Sequence, residues 1–367
     1  VCSKPYGIKE HRTITLRTLF GTMEIKSPRF KGCNCAGSKT FSPLSMFLQD
    51  KVTPELFFLE AKWSALMSYG LTVNLLKECF PIDSKLSIET VRRNTHDISR
   101  KIDSLLGDEK QVYAKCFPSL INKDAFNNEA TVLGLDGGYI RSSKHKNKNF
   151  ELIVGKSIPN EGSPKVFGLV KDCDLKSKRR IYEMLQSQGI TDSDGVCFMS
   201  DGGESLKKLQ LYINPNSKHI LEWFHITMKL TVLNQCAKGL CNINQEAAKE
   251  IKKLLSSIKW KLWHGKPLDA LTKILKLSDK VGAFEKSYSR YVSMIKYISE
   301  FFNYISNNVN IIVNYGARYR DGKKISTAFA ESLVNSLISK RFCKKQQMRW
   351  TKQGAHLLMQ VRAAVVN

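Results

Sequence analysis

Thr131-Val-Leu-Gly-Leu-Asp-Gly-Gly138 and Val196-Cys-Phe-Met-Ser-Asp-Gly-Gly203 are two largely apolar runs that each end in Asp-Gly-Gly, with Asp136 and Asp201 65 positions apart. Short apolar runs bounded by glycine read as buried strands. An aspartate that closes such a strand lies at the C-terminal edge of a sheet, where carboxylates of neighbouring strands converge in a crevice. The glycines beside it let a phosphate backbone approach. One Asp-Gly is commonly just a turn; two in this context carry more weight. Phe150–Val154 and Lys165–Val170 read as further strands, and Lys178–Gln188 as a helix with Ile181, Met184 and Leu185 on one face. A helix and a last strand, His219-Ile-Leu-Glu-Trp-Phe-His225, complete an α/β layer.

Upstream, Arg12–Phe20 and Met23–Lys26 alternate about Gly21 and predict short strands. Cys33-Asn-Cys35 follows. Cysteine pairs at a β-turn hold zinc in small, core-poor modules, so Cys2, Cys33 and Cys35 are candidate zinc ligands. A fourth ligand would be His11 or a residue before Val1, a start that points to a trimmed N-terminus; two surface thiols are the alternative. Residues 54–106 predict helices, with Pro54 in a first turn, a break at Gly70 and Ser87 as an N-cap. Arg92, Arg93 and Asn94 lie near the start of the third, the arrangement of a helix-turn-helix reader or of a plain helical bundle.

Beyond His225 the chain predicts helices to about residue 315, then a loop over Tyr315–Gly322 and a last long helix capped by Ser326 or Thr327. Phe329, Leu333, Val334, Leu337 and Ile338 form an apolar stripe, with Glu331 and Asn335 on a neighbouring face. Residues 301–367 hold 11 Lys and Arg against 2 Asp and Glu, so the isolated Glu331 serves a salt bridge or a metal. Arg341, Lys344, Lys345, Gln346, Gln347, Arg349 and Trp350 suit phosphate contact, hydrogen bonding and base stacking.

The whole chain carries 58 Lys and Arg against 33 Asp and Glu, a formal charge of +25, which favours a polyanionic partner. A hydrophobic fraction of 42% argues for a folded protein. No apolar stretch approaches the length that spans a bilayer. Ten irregularly spaced cysteines suit a reducing cytoplasm.

Several ordered blocks together resemble bacterial insertion-sequence transposases of the Kra type, related to the Mutator-like transposases. They are Leu135–Tyr139, Met199–Gly203, Leu221-Glu-Trp-Phe-His225, Lys259-Trp-Lys-Leu-Trp-His-Gly265, Ile325–Ser332 with Asn335, and Lys340–Trp350. The resemblance implies a ribonuclease H-like α/β catalytic domain interrupted by an all-α insertion. In front of it would stand a small β module, a candidate zinc ribbon, and a helix-turn-helix-like region. The boundaries implied are 1–50, 51–128, 129–230, 231–322 and 323–367. Asp136, Asp201 and Glu331 would be the catalytic acids, holding two Mg²⁺ or Mn²⁺ ions, with Glu222, His225 and Asn335 in support. The family's usual Asp-Trp-Phe-His has Glu222 in place of its Asp. The activity implied is binding of an element's terminal inverted repeats, strand cleavage and transfer to target DNA, by a homodimer or larger assembly at the bacterial nucleoid. A ribonuclease H-like structure-specific nuclease and an inactive, DNA-binding descendant are the alternatives.

Overall fold

The computed structural model describes residues 6–32, 40–48, 50–108, 129–144, 148–190, 195–203, 217–241, 243–283, 290–343 and 348–367. The chain is a mixed α/β protein and divides into two compact units that interleave along the sequence.

The first unit comprises Val1–Leu105, Arg141–Lys148 and Arg341–Val366. Strands β1 (Ile8–Thr18) and β2 (Gly21–Lys31) form an antiparallel hairpin, and β3 (Thr40–Phe41) pairs with β2. After the short α1 (Pro43–Phe47) come α2 (Pro54–Leu66), α3 (Tyr69–Cys79) and α4 (Ile88–Leu105). Gly70 lies inside the first turn of α3, so the break falls two residues earlier, where Ser68 accepts the N–H of Leu71. Ser87 accepts the N–H of Thr90 and caps α4. The last helix, α12 (Lys352–Val366), packs against α2 and α4 in this unit, although the sequence groups 323–367 with the catalytic domain. The zinc candidates Cys2, Cys33 and Cys35 lie outside the described residues.

The second unit is built on a five-stranded mixed sheet in the order β6-β5-β4-β7-β8. Its strands are β4 (Glu129–Arg141), β5 (Asn149–Pro159), β6 (Lys165–Val170), β7 (Gly195–Ser200) and β8 (Lys218–Leu221). The first strand in sequence is thus the central one. It pairs parallel with β7, which pairs parallel with β8, while β5 and β6 are antiparallel. Alternation along the strands separates two cores. Leu133, Leu135, Val196 and Phe198 face Ile181, Met184 and Leu185 of α5 (Ser177–Gln186). Val132, Cys197 and Met199 face the opposite way, into a core continuous with the helical block.

That block consists of α6 (Trp223–Leu240), α7 (Gln245–Trp263), α8 (Pro267–Gly282), α9 (Tyr291–Asn307) and α10 (Tyr315–Arg320). Two expectations are corrected here. The strand expected over His219–His225 stops at Leu221, and Glu222 instead precedes the first turn of α6. The loop expected over Tyr315–Gly322 is mostly the helix α10, whose N-cap Asn314 accepts the N–H of Ala317. The helix expected between Gly203 and His219 falls largely outside the described residues. The last long helix is also two structures: α11 (Ala328–Leu333) continues as a π-helix over Val334–Cys343. No helix among the described residues is long and apolar enough to cross a membrane.

Candidate active site

The register of three parallel strands sets one row of carboxylates. Gly134 pairs with Met199 and Ser200 with Leu221, offsets of 65 and 21. Continued past the ends of β7 and β8, the same offsets put Asp201 and Glu222 level with Asp136 inside β4. The N–H of Glu222 still donates to the carbonyl of Ser200 at 3.0 Å, extending the ladder to that level. The expectation that both aspartates close a strand is corrected for one of them: Asp136 and its two glycines lie within β4, which runs on to Arg141, whereas Asp201 directly follows the end of β7. Asp136 Oδ1 accepts the N–H of Gly137 at 2.8 Å, and Asp201 Oδ1 accepts the N–H of Gly203 at 3.0 Å. One oxygen of each is thereby fixed.

Glu331 arrives from the other end of the unit by close packing. Gly134, Asp136 and Gly138 share one face of β4. A Cβ on Gly134 would come within 2.4 Å of the Phe329 ring, and one on Gly138 within 2.9 Å of Ile338. Only glycine lets the helix lie so close, and Asp136 is the side chain between them. Leu333, Leu337 and Ile338 of the apolar stripe are buried, whereas Glu331 stays half-buried and Asn335 is exposed.

Glu222 has a larger part than its placement at a strand end implied. Its side chain is 0% exposed. One oxygen meets Nδ1 of His225, one helical turn on, and the other accepts the backbone N–H of Thr327 at 3.0 Å. The N–H of Trp223 donates to the carbonyl of Ile325, and the hydroxyl of Tyr315 donates to the carbonyl of Leu221 at 2.7 Å. The loop before α11 is therefore stitched to the end of β8. One ligand atom from each of Glu222, His225 and Glu331 falls within a group only 4.8 Å across. The three residues whose ligand atoms come together are thus Glu222, His225 and Glu331, rather than the expected trio of Asp136, Asp201 and Glu331.

Electrostatics follow from this crowding. Burial raises the carboxyl of Asp136, as do the charges of Glu222 and Asp201, against the N–H of Gly137. Burial likewise raises Glu331, with Glu222 and Asp136 adding to it. The hydrogen bond to Glu222 raises His225 despite burial, and the charges of Glu222, Asp201 and Asp136 push the same way. Among the described residues no lysine or arginine forms a salt bridge with Asp136, Asp201, Glu222 or Glu331. Four acids without such a partner, in a chain of +25, are a hard oxygen donor set suited to a divalent cation.

The nucleic-acid candidates divide differently from the sequence expectation. Arg93 and Arg349 are exposed, and Arg92 is exposed but bound to Glu89 at 2.7 Å. Three others are corrected, because they hold the first unit together. Asn94 is buried and donates to Glu60 at 2.6 Å. Arg341 is buried, donates to the carbonyl of Ser64 at 3.0 Å, and lies over the rings of Tyr69 and Trp350. Trp350 is buried with its indole N–H donating to the carbonyl of Phe342. An apolar stem or ring in a basic sequence packs inward unless its neighbours are already filled, which no local pattern reveals. Lys344, Lys345, Gln346 and Gln347 lie outside the described residues.

No protein-family model matches the chain, and no curated protein matches it in sequence.

Proposed function

We propose that the chain is a DDE-class DNA transposase with a ribonuclease H-like catalytic core, acting on the ends of a mobile element. The observation that carries this is the row of Asp136, Asp201 and Glu222 across parallel strands, with Glu331 brought beside Asp136 by the packing of α11 on Gly134. The strand order β6-β5-β4-β7-β8, with the first acid on the central strand, supports the same assignment. The helices after Glu222 correspond to the insertion between the second and third acids.

Asp136, Asp201 and Glu331 would hold divalent ions, and Glu222 and His225 lie close enough to Glu331 to share one. Such ions activate a water or a terminal 3′-hydroxyl and stabilise the leaving oxygen of an in-line displacement. The protein's own residues supply position and charge. The Gly137 and Gly203 amides fix one oxygen of each aspartate, and Glu222 orients the ring of His225 through Nδ1. The surface of the chain, at +25, attracts the DNA backbone. Assembly as a dimer on two DNA ends, a nucleoid location, and a zinc ribbon at Cys33 and Cys35 belong to the same proposal.

The deciding experiment incubates the purified chain with Mg²⁺ or Mn²⁺ and a plasmid carrying the DNA that flanks its coding sequence. Cleavage at inverted repeats and joining to a target molecule are expected. Cleavage confined to branched junctions or RNA–DNA hybrids would replace the proposal with a structure-specific nuclease.

A further inference from the structure

The helical block presents two aromatic rings to solvent, one in the last turn of α7 and one in α10. Trp260, near the C-terminal end of α7, is 57% exposed and stacks on His264, with ring centres 5.9 Å apart at 23°. Tyr319 in α10 is 66% exposed and rests on Trp263 at 6.2 Å. Trp263 in turn lies 4.9 Å from Trp223, the residue after Glu222. Ring contacts therefore run from Trp223, next to Glu222, through Trp263 to the open face of Tyr319, and Trp260 precedes Trp263 by three residues in the same last turn of α7. The fold holds this ledge firmly: His264 bridges to Asn314, and a Cβ on Gly316 would come within 2.6 Å of the Trp263 indole nitrogen.

Its surroundings are cationic. Helix α7 carries five lysines against two glutamates. Lys249 and Lys253 precede Trp260 by three turns and two turns, and His264 follows by one, so all four share a face. Lys249, Lys253, Lys259 and Trp260 are exposed, and among the described residues none of these lysines forms a salt bridge. From Lys249 to Trp260 the line runs about 16 Å along the helix. Exposed rings that follow a row of free ammonium groups form a surface for unpaired bases, because stacking takes any base while the cations track the phosphates. A large apolar ring left in water without such an occupant gains nothing from its position.

We infer that Trp260 with His264, and Tyr319, form a stacking platform for a single-stranded segment of DNA leaving the carboxylate cluster. This rests on the proposed function and adds to it a binding mode, for unpaired rather than duplex DNA, outside the first unit and its helices.

The test uses the full chain in EDTA, so that no strand is cut, and measures fluorescence anisotropy with two probes. One is a blunt duplex; the other is the same duplex with a thymidine extension of about ten nucleotides, within the span such surfaces occupy. Wild type should bind the extended duplex at least about tenfold more tightly, in line with stacking of one or two bases. Trp260→Ala with Tyr319→Ala should abolish that preference and leave blunt-duplex binding unchanged, whereas Trp260→Phe should keep most of it. Equal wild-type affinity for both probes overturns the platform and leaves the proposed function standing, as does a double variant that retains the full preference. A wild-type chain that binds neither probe overturns the proposed function itself, and the platform with it.

Discussion

Glu222 and Thr327 are 105 positions apart in sequence, yet a carboxylate oxygen of the first accepts the backbone N–H of the second at 3.0 Å. The bond joins the end of β8 to the N-terminus of α11, and so fixes where Glu331 stands. Because the other oxygen of Glu222 meets His225, one buried carboxylate both places an acid and raises the proton affinity of a histidine.

Glu222 should therefore respond differently to two substitutions. Glu222→Gln keeps an acceptor for Thr327 and loses the charge that favours protonated His225. Its expected cost in cleavage is about tenfold to a hundredfold, the usual range for a group that orients a site. Glu222→Ala leaves the Thr327 amide unpartnered, which costs about 1–3 kcal/mol of stability as well. Cleavage rates and denaturant unfolding on the same preparations check both. Wild-type kinetics in Glu222→Gln would remove the link to His225.

Asp136→Asn, Asp201→Asn and Glu331→Gln remove charge while keeping size. Each should slow strand cleavage at least ~10³-fold, the scale for losing a principal charge-stabilising group, and should leave DNA affinity intact. Gel shifts and single-turnover cleavage separate the two effects. Full activity in Glu331→Gln would mean that Glu222 is the third acid.

The same crowding makes a stability prediction with a definite sign. The native carboxyls of Asp136 and Glu331 are raised above ordinary values of 3.8 and 4.5. A raised group contributes stability below its unfolded value, and that contribution is lost as pH rises through the native one. The metal-free protein should thus be strained at neutral pH. Asp136→Asn should raise its Tm in EDTA at pH 7, and Mg²⁺ should raise the Tm of wild type more than that of the variant. Thermal unfolding with and without Mg²⁺ tests this, and an unchanged wild-type Tm would argue against a metal site.

Sequence and structure agree most closely where local pattern decides. The apolar runs before Asp136 and Asp201 are strands, and the spacing of the two acids equals the register of β4 with β7. Ser87 caps its helix, and the stripe at Leu333, Leu337 and Ile338 is buried. The glycines beside Asp136 are expected from sequence to admit a phosphate backbone after a strand end; Gly138 instead lies within β4 and, like Gly134, makes room for the side chains of Phe329 and Ile338. What could not be read locally depends on distant partners. Nothing near Glu222 announces Thr327, and nothing near Arg341 announces Ser64. The motif Glu222-Trp-Phe-His225 looked like a strand because its apolar residues run on from Ile220 and Leu221. It turns helical because Glu222 and Trp223 bond to the loop before α11 instead of a sixth strand.

Asn94 illustrates the same limit and leads to a last prediction. Placed by sequence among DNA-contacting residues, it instead serves a buried acid. Glu60 in α2 is 1% exposed; one oxygen accepts from Asn94 at 2.6 Å, and Oε1 has no hydrogen-bond partner among the described residues. Burial pushes its carboxyl up from 4.5 to about 7, against the hydrogen bond from Asn94 and the charge of Arg17. A native value above the unfolded one means that Glu60 contributes fully below about pH 4.5 and loses that contribution as pH rises through about 7. Above that, a buried carboxylate costs up to about 3 kcal/mol, at roughly 1.4 kcal/mol per pH unit between the two values. Glu60→Gln keeps an oxygen for Asn94 and never ionises. The variant should therefore be more stable than wild type at pH 8, by about 1–3 kcal/mol, and no more stable at pH 4.5. Urea unfolding of both proteins across that range gives the answer. Parallel pH profiles would show that Glu60 is already charged in the native protein and that its burial is offset by a partner other than Asn94.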